Sequence, residues 1–229
     1  TYAEVISGYT SFYLGAKSVC PTVKMDVQFT GSWYDETAEY NAANALINGG
    51  CKLISQHADS MGAPNACESA GVPNVSYNGS TFDACPDTFI VSSRINWAPY
   101  YKHIIAQMAK NNNDVVKAAV EKDWTGNIKT GSVVLTNVGG GAAAEGTVEK
   151  IVEVREKLVK GQIHVFDTNT FTVNGKQLDA NHMADVDTDA AFTPDTIVVE
   201  NGVFFESKHR SAPYFDVRID GITLLNEKF

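Results

Sequence analysis

Apolar residues at Val5, Ile6, Tyr9, Phe12, Ala16 and Val19 recur at helical spacing and stop at Cys20-Pro21, which predicts an amphipathic helix near the start of the chain. Residues 24–29 then alternate as a strand does. Ser32-x-x-Asp35 has the form of a capping box, in which the serine oxygen accepts from a backbone N–H of the first turn and the acid reaches back. A helix is therefore expected to start beside Trp33 and to run through Ala38, Ala42, Ala45 and Leu46 to Gly49-Gly50, where glycine can take a left-handed exit. A strand at 52–55, a short helix ending at Gly71, and strands at 74–77 and 89–93 follow. Trp97, Tyr100, Tyr101, Ile104 and Met108 mark a helix closed by Asn111-Asn112-Asn113. A further helix over 115–124, a strand over 132–137 and a charged helix from Thr147 to Lys160, stopping at Gly161, complete the alternating part.

Strand and helix alternating at this short period predict an α/β fold, a Rossmann-like parallel sheet with helices on both faces. From residue 162 the pattern changes. Asn174-Gly175, Asn201-Gly202 and Asp220-Gly221 each lie between alternating apolar residues, a hairpin signal, so residues 162–229 read as a β-rich, hairpin-bearing C-terminal extension.

In open parallel sheets ligands bind outside the carboxyl ends of the strands. That rule sorts the unusual residues. Trp33, His57, Asp59, Tyr77 and Asn78 each follow a strand, whereas Cys20, Cys51 and Cys85 precede strands and Cys67 lies near a helix end, on the opposite edge. The cysteines are thus placed as staples: two disulfides, Cys20 with Cys51 and Cys67 with Cys85, each closing a loop for roughly 3 kcal/mol. Four cysteines allow three pairings, and four buried free thiols are the alternative. None forms the Cys-x-x-Cys of a zinc or redox site.

Composition narrows the partners. The chain has 229 residues and a formal charge of -9, so a phosphate backbone or an anionic membrane would meet net repulsion, and nucleic acid is excluded as a natural partner. No apolar run reaches the roughly 20 residues of a membrane helix. The sequence opens at Thr1 with neither a methionine nor a signal pattern, so a leader has been removed or the start lies elsewhere.

Several motifs carry less than they suggest. Gly139-Gly140-Gly141 sits between a strand and a helix but lacks both the G-x-G-x-x-G spacing and a following Lys-Ser/Thr, so it reads as a tight turn. Asp185, Asp187 and Asp189 alternate like the start of a calcium loop without its glycine or distal glutamate, so they read as solvated charges. No metal or cofactor is expected. His57 and Asp59 have the chemistry of an acid–base pair, or simply of hydrogen-bonding groups in a loop. Trp33 with Tyr77-Asn78 and Asn96-Trp97 supplies aromatic faces and amides, which is what a flat polar ring such as a nucleobase requires.

The segments Phe29-Thr30-Gly31-Ser32-Trp33, Gln56-His57-Ala58-Asp59-Ser60, Tyr77-Asn78 and Asn96-Trp97-Ala98-Pro99-Tyr100-Tyr101 resemble, in this order and at these intervals, the basic membrane lipoprotein (BMP) family of ABC-transporter solute-binding proteins. The resemblance runs from about Val5 to Gly161. It implies a type I periplasmic-binding fold, two Rossmann-like lobes closing over a hinge on a purine nucleoside or the free base adenine. It also implies a non-enzymatic receptor, extracellular and lipid-anchored in its native form, that hands a small molecule to an ABC permease. By matching motif, Trp33 stacks on the base, His57 to Asp59 form a neighbouring loop, and Asn78 takes the place of an aspartate that serves the ribose. Ile95 replaces a lysine frequent in nucleoside binders and Ser80 a second acid, leaving Arg94 as the substitute and bringing the chain nearer to members that bind a free base.

On this resemblance residues 1–93 are most of the C-terminal lobe, 94–161 the hinge crossing and returning elements of the other lobe, and 162–229 the extension. The family's N-terminal lobe and the first strand of this lobe have no counterpart here. A missing central strand leaves open edges, so the absent segment, a second copy or a swapped element is expected to fill the gap. Two other classes remain: a nucleoside-processing enzyme using His57 and Asp59, and the effector-sensing domain of a signalling protein.

Overall fold

The computed structural model describes residues 2–118, 120–187, 191 and 193–227. Its order is α1 (Ala3–Val19), β1 (Met25–Val27), α2 (Glu36–Asn48), β2 (Ile54–Ser55), α3 (Gly62–Ala70), β3 (Asn74–Tyr77), β4 (Phe89–Ile95), α4 (Ala98–Lys110), β5 (Val133–Leu135) and α5 (Thr147–Val159). Five short strands follow: β6 (Met183–Ala184), β7 (Thr196–Ile197), β8 (Val199–Glu200), β9 (Val203–Phe204) and β10 (Ile222–Leu224). The fold is thus α/β with parallel strands, as expected of a periplasmic-binding-protein-like chain. β2, β3 and β4 pair in parallel, and β5 closes that sheet antiparallel to β4.

β1 stands apart. It pairs in parallel with β10 from the far end of the chain, and among the described residues no ladder joins β1 to β2. The loops that follow the two strands meet instead, where the Asp59 N–H donates to the Trp33 carbonyl at 2.9 Å.

α1 buries Ile6, Ser7, Thr10, Tyr13 and Leu14, the i, i+1, i+4, i+7, i+8 stripe of one helical face. This differs from the stripe read from the apolar residues alone, and Val19 is exposed. The reason lies in residues 162–227. Phe166, Phe171, Phe204, Tyr214 and Phe215 form with Ile6, Tyr13 and Leu14 the largest apolar cluster, so the C-terminal residues decide which face of α1 is covered. Phe166 and Phe215 stack at 4.1 Å.

α2 begins at Glu36, three residues later than the Ser32 box predicts. Asp35 is the actual cap: its carboxylate accepts from the Ala38 N–H at 2.9 Å while Glu39 reaches back to the Asp35 N–H at 3.0 Å. Ser32 instead closes a turn onto the Tyr34 N–H. α3 packs on α2 through Ala43, Ala63 and Ala66, small residues that let the two helices approach closely. Residues 114–117 make a single turn held by Asp114 rather than the helix expected over 115–124, and Val115 and Val116 are exposed. Without an apolar face to bury, β-branched residues give a helix little support there. Ala119 and Asp189 lie outside the described residues.

Two of the three glycine steps make hairpin turns, at Asn174-Gly175 and Asn201-Gly202. Asp220-Gly221 does not. It delivers the chain into β10, alongside β1, and the Asp220 carboxylate accepts from the Asn174 and Gly175 N–H groups. The glycine run is a packing turn: a Cβ on Gly139 or Gly141 would strike the carbonyls of Phe89 and Asp87.

All four cysteines are free thiols, which corrects the expected pairings of Cys20 with Cys51 and Cys67 with Cys85. Cys20 is exposed at the end of α1 beside Thr22. Cys67 and Cys85 are buried as neighbours, and burial, with the nearby Cys85, pushes the Cys67 thiol up to about 12. The Cys85 thiol is engaged with the Thr81 carbonyl at 3.2 Å and with Asn74. These thiols serve as small, neutral core groups.

Candidate functional site

Three of the expected residues meet at the strand tips. Tyr77 ends β3 and stacks on His57, with ring centroids 4.3 Å apart and planes 15° from parallel. Trp33 sits 6.3 Å from His57 at a 44° tilt, and its free side is flanked by Tyr2, stacked at 5.8 Å and 6°. Trp33 is 46% exposed, so this is a surface of rings and not a sealed core.

What positions His57 is the backbone of α1. A Cβ at Gly8 would lie 2.7 Å from His57 Nδ1 and 2.9 Å from its Cε1, so only glycine lets the imidazole rest on the helix. The opposite face of α1 is buried in the C-terminal aromatic cluster, which ties the site to the larger apolar cluster of the protein. Burial holds the His57 imidazole below its ordinary value of 6.5, with Glu4 and Asp59 pulling the other way. Tyr77 is raised, first by burial and then by Glu4 and Asp59. A neutral imidazole keeps one donor and one acceptor nitrogen.

The Asp59 backbone is fixed to Trp33, while its carboxylate makes no hydrogen bond or ion pair among the described residues. Asn78 has a left-handed backbone, φ 65°, and its N–H donates to the Ser93 carbonyl at 2.8 Å. The turn leaves Asn78 exposed directly after the His57–Tyr77 stack.

The remaining expected residues form a second zone. Arg94 and Asn96 line an open groove of about 520 Å³ together with Ser80, Val134, Leu135, Thr136 and Asn137. Asn96 is committed to structure: its amide donates to the Gly131 carbonyl at 3.0 Å and accepts from the Ala98 N–H at 3.2 Å, fixing the entry to α4. Trp97, 55% exposed, belongs to a separate ring group with Tyr100 and Tyr101, which continues to Trp124 and His103. No ring contact joins the two groups among the described residues. Tyr2, Glu4 and Gly8 were not legible as site residues, because a helix pattern says nothing of what rests on its N-terminal turns. Among the described residues no cluster of metal-ligating side chains is present.

The model of a family described as ABC transporter substrate-binding protein, PnrA-like, matches residues 1–169. A purine-binding protein of Brucella abortus is 37% identical over 98 residues, covering 43% of this chain and 28% of that protein. A protein of Haloferax volcanii, named for glucose binding in ABC transport, is 26% identical over 168 residues, covering 73% of this chain and 41% of its own length. The chain therefore spans well under half of either relative. Among solved structures, an ABC transporter solute-binding protein from Conexibacter woesei aligns with TM-score 0.47 and 19% identity, over 59% of this chain and 44% of that one.

Proposed function

The chain belongs to the PnrA-like substrate-binding family of ABC transporters, and from that premise we propose that its strand-tip rings recognise a purine nucleobase or nucleoside for import. The family is a class of binding proteins, not of enzymes. The observation that carries the ligand reading is the cluster of Trp33, His57 and Tyr77 in register with the exposed Asn78: flat faces for stacking beside an amide that reads polar edges. Stacking contributes about 0.5–1.5 kcal/mol beyond burial, and a wrong ligand that leaves a polar group unpaired costs about 1–3 kcal/mol. The name of the Brucella relative supports the same ligand class.

In this reading Arg94, in the open groove beside β4 and β5, serves a ribose where the ligand carries one, and Trp97 forms a separate aromatic rim. The native protein works outside the cell, held by a lipid, and passes its ligand to a permease. The free edge of β2, which pairs only with β3 among the described residues, is on this reading covered by a further segment of the polypeptide, a second copy or a swapped element. Because the Ile54 and Gln56 N–H groups already donate to β3 and the residue before it, slow amide exchange at Leu53 and Ser55 in the full-length protein is the expected sign of such a cover; fast exchange there would contradict it.

Calorimetry of the full-length protein with adenine, guanine, hypoxanthine, their nucleosides and glucose tests the ligand class. Saturable binding of at least one purine is expected. Binding of glucose alone would overturn the reading, and turnover of a nucleoside abolished by His57→Ala would make the protein an enzyme instead.

A further inference from the structure

Three residues at the start of α1 and just before it converge on the ring cluster. Tyr2 stacks on Trp33. Gly8 carries the His57 ring on its backbone. Glu4, one turn before Gly8, projects from the same helical face, because residues four apart lie one above the other. Its carboxylate is exposed, makes no hydrogen bond or ion pair among the described residues, and with Asp59 is close enough to act on both His57 and Tyr77.

Two carboxylates are therefore near enough to act electrostatically on the ring stack. Ionised carboxylates only accept hydrogen bonds, so they reward N–H donors and repel carbonyl lone pairs. His57 adds no compensating charge, since burial favours its neutral form. Arg94 makes no ion pair with either acid among the described residues.

We propose that the Glu4–Gly8 face of α1 is a wall of the binding site, in which Gly8 positions His57 and the Glu4 carboxylate selects ring ligands that present an amino group over those that present an oxo group. The assignment rests on the ring-binding function proposed above and adds to it a specificity-determining residue.

Adenine and hypoxanthine are the probes, being bicycles of nearly equal size that differ in one amino or oxo substituent. Titration calorimetry on the full-length protein is expected to show adenine preferred, and Glu4→Gln to shrink that preference by roughly tenfold, the value of one charge-assisted hydrogen bond. Gly8→Ala, with its fold verified by circular dichroism, is expected to weaken both bases alike, because it displaces the ring and not the charge. If both bases bind and Glu4→Gln leaves their ratio unchanged, or if the wild type prefers hypoxanthine, the Glu4 assignment falls while the purine reading stands. If neither base nor any nucleoside binds, both fall together.

Discussion

The molecule carries two aromatic groups of similar size with opposite foundations. Trp33, His57 and Tyr77 stand on strand ends and on α1, whose other face is buried against Phe166, Phe204 and Phe215. Trp97, Tyr100, Tyr101 and Trp124 stand on and beside α4, a helix with no buried residue at all. The first group includes a near-parallel stack at 4.3 Å and lies within electrostatic reach of two acids. In the second Trp97, Tyr100, Tyr101 and Trp124 meet tilted or edge-on, 5.3 to 6.5 Å apart, His103 stacks on Trp124 only at 6.2 Å and 29°, and Ile105 and Tyr101 lie open beside them. Ring content alone does not make a recognition surface. A stack held by a locked helix is preorganised for a flat ligand, whereas rings on an unsupported helix must be ordered by whatever covers them.

The largest effect that separates the two regions is on stability. Phe215→Ala removes a fully buried ring from the cluster behind α1 and is expected to cost about 3–5 kcal/mol, whereas Ile105→Ala on α4 is expected to stay within about 0.5 kcal/mol, both read by denaturant unfolding. Equal losses would erase the contrast. Next, Trp33→Ala is expected to weaken a purine ligand by roughly tenfold and more than Trp97→Ala does; the reverse order in calorimetry would move the site to α4.

Smaller effects come from pH. Glu206 accepts a hydrogen bond from Ser7 of α1, and burial raises its carboxyl above the ordinary 4.5 despite that bond. The unfolded chain therefore ionises first, and this contribution to stability, full below about 4.5, is lost as pH rises through the folded value. Glu206→Gln should accordingly make thermal stability less sensitive to pH on the alkaline side of 4.5. His57 has the opposite sign: its folded value is depressed, so its contribution is present above 6.5 and drains away as pH falls through the folded value. His57→Gln should flatten that acid-side slope, and a slope unchanged by the substitution would place the proton elsewhere.

Much of the alternating part could be read from the sequence, because its signals are local. Gly71 ends α3 in a left-handed cap, Asn74–Tyr77 is the strand its alternation predicts, and Gly161 follows α5 as expected. The failures share one cause, dependence on distant residues. Which face of α1 is buried is set by aromatic residues more than 150 positions away, and β10 pairs with β1 across almost the whole chain. Asp220-Gly221 carries a hairpin signal, yet its strand finds a non-local partner. The Ser32 box fails because Asp35 and Glu39 offer a competing cap a few residues on. The ring cluster was legible through the strand-tip rule, but its α1 wall was not. Nothing in the local pattern tells that Gly8 lies under His57.

The strand-tip rings are the surface proposed to meet the ligand. Photo-crosslinking of an azido-adenine to the full-length protein, with and without excess adenine, followed by peptide mapping, tests this most directly. Adenine-protected label on peptides bearing Trp33, His57 or Tyr77 is the expected result. Protected label confined to Trp97, Tyr100 or Trp124, or no protectable label anywhere, would contradict it.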